Sequence, residues 1–266
     1  MSERLAHAKV NLALVVGPSR PDGKHELTTV LMRVGLADHL RLEPAAALAV
    51  EGFPADTLIR RALELVSADA GVEPAWRVLV DKRIPVAAGL GGGSSDAAAA
   101  LLLANEAIGG ALPAARLAAL AAGLGADVPF FLADGPQLGE GDGTVLTKVE
   151  LPQAFTVLLL LPDGEMKAST SAVYAAFDEG DGSTGYEERR AELLSALAAG
   201  DLSGLPPNDL AASPVANELL GLGAFRADVS GAGPTVYGLF DERTIAESAA
   251  ARLQHLGRVW VVPQAW

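Results

Sequence analysis

Lys82-Arg83-Ile84-Pro85-Val86-Ala87-Ala88-Gly89-Leu90-Gly91-Gly92-Gly93-Ser94-Ser95-Asp96 runs directly into Ala97–Ile108, and the order of these pieces carries more information than any other part of the chain. Upstream, Arg77–Ile84 alternates in polarity and predicts a strand; downstream, the alanines and leucines of Ala97–Ile108 predict a helix. A strand, a glycine cluster, two hydroxyls and then a helix is an arrangement that cradles a polyphosphate. Glycines let the backbone come close to the phosphates, and their N–H groups, with the helix N-terminus, point positive partial charge at an anion. Ser94 and Ser95 can donate to phosphate oxygens or ligate Mg²⁺. Two better-known glycine motifs do not fit. A Walker A loop needs a lysine that this loop lacks, and the dinucleotide fingerprint needs Gly or Ala where Ser94 stands, after an N-terminal βαβ unit. A glycine turn that only caps a helix is the plainer alternative, and the backbone entropy lost by so many glycines weighs against it.

Outward from this segment the chain reads as mixed α and β. Strands are predicted at Leu5–Val16, Glu26–Val34, Thr156–Leu161, Arg226–Val229, Thr235–Phe240 and Arg258–Val262. Helices are predicted at Asp56–Ala68, with Asp56 or Thr57 as cap, and at Ala114–Gly123, Glu187–Ala199, Val215–Leu222 and Thr244–Leu256. Gly17–Gly23 and Gly180–Gly185 are turn or loop clusters, and Asp134–Thr147 reads as loop with short strands. With 266 residues, two domains are expected, residues 1–150 and 151–266, parting near Val149–Pro152.

Composition excludes several classes. The net charge of −13 argues against nucleic-acid binding, which needs a basic face, yet leaves room for a nucleotide held by backbone N–H groups. The chain has no cysteine, so disulfides, thiolate zinc and a cysteine nucleophile are out. Met1–Lys9 lacks a basic-then-apolar leader pattern, and the apolar run Val157–Leu161 is far too short to span a bilayer. A cytoplasmic protein without a membrane partner, acting on a small molecule as a monomer or weak homodimer, is expected.

The quoted segment resembles the ATP-binding motif of the GHMP kinase superfamily. Its triple glycine and double serine are most similar to the branch that phosphorylates 4-diphosphocytidyl-2-C-methyl-D-erythritol. Ala8-Lys9-Val10-Asn11-Leu12 resembles that branch's N-terminal signature, and Gly125-Ala126-Asp127-Val128-Pro129-Phe130-Phe131 its catalytic segment. The resemblance implies Asp127 as the group that takes the proton from a substrate hydroxyl, with Lys9 beside it. It implies ATP contacts at Lys82, Pro85, Gly89, Leu90, Gly91, Gly92, Gly93, Ser94 and Ser95, and Mg²⁺ on Ser94 or Ser95. Taken alone, Asp127 also fits a turn carboxylate and Lys9 an edge-strand lysine.

Ser230-Gly231-Ala232-Gly233-Pro234-Thr235 resembles the third motif of the superfamily and implies active-site roles for Gly231 and Gly233, although a turn without a ligand role reads the same way. The match also implies substrate contacts from Asn11, His25, Thr170 and Tyr174. Lys24 stands where the branch carries tyrosine, and Thr57 where it often has an adenine-contacting asparagine. Asn208-Asp209-Leu210 fits the branch but brings no role with it. The implied architecture is an α+β two-domain GHMP kinase fold, with a ribosomal-protein-like N-terminal domain and a ferredoxin-like C-terminal domain. Two alternatives follow from the same residues: a GHMP kinase for a different small alcohol or sugar, motivated by Lys24, and a non-catalytic nucleotide-binding protein on the same fold.

Overall fold

The computed structural model describes residues 2–53, 57–164 and 170–265. Its first two strands run past the predicted ones: β1 is Ser2–Ser19 and β2 is His25–Pro44. Beyond Val34, β2 keeps the strand period, with Leu36, Asp38, Leu40 and Leu42 buried on one parity. On β1 both faces are buried from Ala8 to Val16, with Lys9 and Asn11 on the parity opposite Val10, Leu12, Leu14 and Val16. The chain forms two compact units that interleave along the sequence. One comprises Met1–Ala8, Leu36–Val86 and Gly91–Asp134; the other comprises Lys9–Gly35, Ala87–Leu90 and Gly135–Trp266.

In the first unit, β4 (Trp76–Asp81) pairs antiparallel with the end of β2, from His39↔Asp81 to Pro44↔Trp76, and parallel with the short β3 (Ala49–Glu51). The helices are α1 (Leu58–Ala70), α2 (Gly92–Ala107), α3 (Ala114–Leu124) and α4 (Val128–Leu132). α1 buries Ile59, Ala62, Leu63 and Val66, and stops where Gly71, at φ +67°, donates back to Ser67 and Ala68. That left-handed stop costs glycine nothing sterically. Thr57 is the N-cap without a side-chain capping bond, and Asp56 lies outside the described residues. α2 is buried on nearly all sides, from Ser95 through Leu101 and again at Leu103 and Ala104.

α2 also begins earlier than its propensity predicts, at Gly92 rather than Ala97. Gly91 forms the N-cap at φ +67°, and Ser95 N–H closes the first helical bond on Gly91 O at 2.9 Å. The glycine-serine run is therefore the first turn of the helix itself, and its leading N–H groups have no partner within the helix.

In the second unit, β5 (Gln137–Gly141) pairs with the start of β2, from Leu27↔Gly141 to Leu31↔Gln137, and β6 (Val145–Lys148) pairs with β5. A four-stranded antiparallel sheet has the order β10-β7-β9-β8, with β7 at Thr156–Pro162, β8 at Arg226–Val229, β9 at Val236–Phe240 and β10 at Gly257–Val262. Against it pack α7 (Pro214–Gly221) and α8 (Arg243–Leu253), whose Val215, Leu219, Ala246, Ala249 and Leu253 meet Leu158, Leu160, Val236 and Phe240. The remaining helices of this unit are α5 (Thr170–Glu179) and α6 (Tyr186–Ala199). Among the described residues no helix is long and apolar enough to cross a membrane.

Candidate active site

Three sequence segments far apart in the chain meet within the second unit. Lys9 and Asn11 share one side of β1, both buried, and Lys9 Nζ donates to Asn11 Oδ1 at 2.6 Å. Asn11 in turn donates through Nδ2 to Thr29 Oγ1 on β2 at 2.9 Å, which fixes the carboxamide so that its oxygen faces the ammonium. Lys9 N–H binds Leu90 O at 3.0 Å, Thr235 N–H binds Ala88 O at 3.3 Å, and Ser230 Oγ donates to Gly89 O at 3.0 Å. The end of the glycine loop is thus tied to β1 on one side and to the Ser230–Thr235 turn on the other. Gly89, at φ +80°, has no room for a side chain: a Cβ would lie 2.9 Å from Gly233 O and closer still to Ser230 O. A Cβ on Gly231 (φ +58°) would face Asn11 Oδ1 at 3.3 Å and Lys9 Nζ at 3.6 Å. Gly233 is at φ +74°, ahead of a cis bond to Pro234. Ala87, a non-glycine residue, is held at φ +56°, a conformation that persists only where surrounding contacts enforce it.

The segment that sequence analysis left without a role secures this arrangement. Asn208 Nδ2 donates to Val229 O at 2.9 Å and Gly231 O at 2.6 Å, while Asp209 N–H binds Leu14 O at 3.0 Å and Asp209 Oδ2 accepts Val16 N–H at 2.8 Å. One tripeptide therefore holds both the glycine turn and the strand that carries Lys9.

Elsewhere in the second unit, His25 is buried. Its ring stacks on Tyr174 with centroids 4.8 Å apart and meets Phe177 edge-on at 6.0 Å. Its Nε2 lies 2.8 Å from Asp178 Oδ1 and 3.2 Å from Ser19 Oγ. Thr170 opens α5; its side chain lies outside the described residues, as does Ser169. Lys24, next to His25, pairs through its ammonium with Asp142 in the β5–β6 turn. That hydrogen bond, with a second from Thr144, holds the Asp142 carboxyl down at about 2.

The first unit carries Asp127, Pro85, Gly91–Gly93, Ser94 and Ser95. Asp127 is half-buried at the N-cap of α4, where its side chain makes no capping bond to the helix. Gly92 has a tight neighbourhood, with a Cβ landing 3.0 Å from Ile84 Cγ2 and 3.1 Å from Lys82 Nζ. At Gly93 a Cβ would meet only Leu58 Cδ1, at 3.5 Å, an ordinary contact. The fold demands glycine at 89 and 91 but not at 93. Lys82 presents a surprise: its ammonium is taken up by Asp38 Oδ2 at 2.5 Å and Asp96 Oδ2 at 2.6 Å. Burial pushes Asp96 up to about 7 against the pull of Lys82, and for Lys82 the two carboxylates outweigh burial and hold the ammonium above its ordinary value. Sequence reading missed Asp38 and Asp96. The available signal was an acid, Asp38, on the same strand parity as Leu36, Leu40 and Leu42.

Family models for the GHMP kinases N terminal domain and the GHMP kinases C terminal match residues 57–135 and 193–259. A 4-diphosphocytidyl-2-C-methyl-D-erythritol kinase from Nocardia farcinica (strain IFM 10152) is 40% identical over 277 residues, which cover 95% of this chain and 89% of the relative. The chain belongs to this family of GHMP kinases. A second such kinase, from Anaeromyxobacter sp. (strain K), is 38% identical over 267 residues, 94% of this chain and 84% of that one. A crystal structure of 4-(cytidine 5'-diphospho)-2C-methyl-D-erythritol kinase matches with a TM-score of 0.84 at 34% identity, covering 100% of both chains. The expected α+β GHMP kinase fold is thereby borne out, and with it a small-molecule kinase.

Proposed function

We propose that this GHMP kinase transfers the γ-phosphoryl group of ATP to the 2-hydroxyl of 4-diphosphocytidyl-2-C-methyl-D-erythritol, a step of non-mevalonate isoprenoid precursor synthesis. The observation that carries the reading is near-full-length identity of 36–40% to kinases of that name, joined to a buried Lys9–Asn11 pair against the glycine loop and the Gly231 turn. Phosphoryl transfer passes through a loose transition state, so positioning and charge neutralisation do most of the work. The first N–H groups of α2 and the hydroxyl of the half-buried Ser94 grip the triphosphate, with the buried Ser95 beneath them and Lys82, Pro85 and Gly89–Gly93 shaping the segment around ATP. Asp127 takes the proton as the substrate oxygen bonds to the γ-phosphorus and the bond to the β-phosphate oxygen breaks, releasing ADP. Lys9, oriented by Asn11, steadies charge on the transferring group. His25, Tyr174 and Thr170 hold the cytidyl end, and Gly231 and Gly233 bring backbone close to the substrate.

Mg²⁺ fits the donors present. Among the described residues no three His, Asp or Glu converge into a cation cage, and Mg²⁺ characteristically binds through nucleotide phosphates, water and one or two hard oxygens. The Ser94 or Ser95 hydroxyl would supply such an oxygen, and the ion would neutralise phosphate charge. In this reading residues 1–150 carry the nucleotide and 151–266 complete the substrate side, and the two family-model matches fall on opposite sides of that boundary. The enzyme works in the cytoplasm as a monomer or weak homodimer, without nucleic acid.

Lys24 supports a second reading, a different small alcohol as acceptor, because its ammonium is turned toward Asp142 and offers no aromatic face. One panel separates the two: the purified chain with ATP and, in turn, the cytidyl substrate, homoserine, mevalonate and galactose. Turnover of the cytidyl substrate alone is the expected result; turnover of only a non-cytidyl alcohol overturns the proposal.

A further inference from the structure

Lys82 sits in the ATP-binding segment, where a lysine would ordinarily be assigned to a phosphate. Its surroundings assign it differently. Asp38, fully buried on β2, receives three donors from one tripeptide: Lys82 Nζ on Oδ2 at 2.5 Å, and Arg83 N–H and Ile84 N–H on Oδ1 at 2.5 Å and 2.8 Å. The same ammonium reaches Asp96 Oδ2 on α2 at 2.6 Å. The first residue of α2 rests against it, since a Cβ on Gly92 would lie 3.1 Å from Lys82 Nζ. The Phe53 ring lies on another side, 5.6 Å from ring centroid to Nζ.

The charge arrangement is costly. Two buried carboxylates share one ammonium, and Asp96 Oδ1 is buried with no hydrogen-bond partner. A buried ion cluster of this kind is a poor source of stability, since apolar groups of similar volume commonly do as well; what it offers is a fixed geometry. A cation flanked by two carboxylates also brings no surplus positive charge to a triphosphate.

Resting on the kinase reading, we infer that Asp38, Lys82 and Asp96 form a strut that sets the spacing between residues 82–84 and the first turn of α2, and so positions the N–H groups that hold ATP. All three are positioning residues, and the ammonium of Lys82 is not a phosphate ligand. The loop 85–91 is the chain between the two ends of the strut, so a change in their spacing is transmitted to it directly. The raised value of Asp96 agrees with a carboxyl kept in place at an electrostatic cost.

The test uses the full chain with ATP binding by calorimetry, steady-state kinetics and thermal melting, for D96N, K82Q, K82R and the D96N/K82Q double variant. The strut predicts that D96N and K82Q each raise the KM for ATP roughly tenfold, with kcat within about twofold, because ground-state gripping is what is lost. It further predicts that the double variant is no worse than the weaker single one and that K82R recovers most of the affinity. A phosphate-contacting lysine predicts the opposite sign at position 96: removing a negative charge would leave ATP affinity unchanged or improve it, and that result overturns the inference. Should K82Q fail to fold, D96N and K82R carry the same comparison. A wild-type chain that binds no ATP removes the kinase reading along with the strut; a wild type that binds, beside an indifferent D96N, removes the strut alone.

Discussion

Gly89→Ala and Gly93→Ala change the same residue type in one glycine run, and the structure expects opposite consequences. At Gly89 the backbone is left-handed, and the new methyl would press on two carbonyl oxygens, Gly233 O at 2.9 Å and Ser230 O closer still. An L-residue in that conformation costs about 1–2 kcal/mol. Both obstacles are backbone atoms, so relief requires the loop to back away and sacrifice bonds such as Ser230 Oγ–Gly89 O at 3.0 Å or Lys9 N–Leu90 O at 3.0 Å, at about 1 kcal/mol each. The total is about 3 kcal/mol, which for a chain of this size lowers Tm by roughly 6–12 °C. Gly93 lies inside α2 at an ordinary helical φ with only Leu58 Cδ1 at 3.5 Å, and alanine there gains about 0.5–1 kcal/mol of helix propensity. Gly93→Ala should therefore melt at or above wild type while binding ATP more weakly, because the methyl obstructs phosphate approach. Circular-dichroism melts paired with ATP titration decide the matter. A Gly89→Ala protein that melts with wild type refutes the packing argument, and a Gly93→Ala protein with wild-type ATP affinity refutes the phosphate assignment.

Asp127→Asn is expected to keep ATP affinity and lower kcat by a factor of about 10²–10⁴, the usual scale for losing a general base, as read in single-turnover assays; unchanged turnover removes Asp127 from the role. Tyr174→Ala strips the ring stacked on His25 and should raise the KM for the cytidyl substrate about tenfold, within the 1–3 kcal/mol of a base–aromatic stack, while the KM for ATP stays put. Lys24 and Thr144 depress Asp142 to about 2. Because the folded value lies below the unfolded one, this contribution is complete above about pH 4 and fades as pH falls through 2. The Tm gap between wild type and Lys24→Ala should accordingly narrow on acidification from pH 5 to pH 2, and a gap that widens would contradict the pairing. Ser213→Ala removes the oxygen that accepts Val215 N–H at the start of α7 and should cost about 0.5–2 kcal/mol in urea unfolding.

Local chemistry was legible in the sequence and long-range charge pairing was not. The glycine-serine run announces itself because backbone conformation and hydrogen-bonding capacity belong to those residues alone, and β8 falls at Arg226–Val229, where alternation put it. The start of α2 was misread because glycine penalises a helix by about 1 kcal/mol per residue, whereas the left-handed cap at Gly91 and burial of nearly the whole helix outweigh that penalty. α5 went unrecognised as an element because, of its residues with described side chains, Phe177 alone is buried, too little to print a helical period. Lys82 was read from its place in a motif as an ATP contact; the partners that claim its ammonium sit 44 and 14 residues away, and no periodicity connects them.

The bond between Leu12 and the far end of the chain bears on biogenesis. Leu12 O accepts both Arg226 Nε at 2.9 Å and Tyr237 OH at 2.8 Å, and 214 residues separate Leu12 from Arg226. At about 5–20 residues per second of translation, the N-terminal strand waits roughly 10–40 s before its cationic partner leaves the ribosome. Throughout that interval the Leu12 carbonyl lacks both of its side-chain donors, although β1 already has β2 as its neighbour in the sheet. Ribosome-stalled nascent chains that end before Arg226 should be more protease-sensitive at β1 than chains that extend past Tyr237.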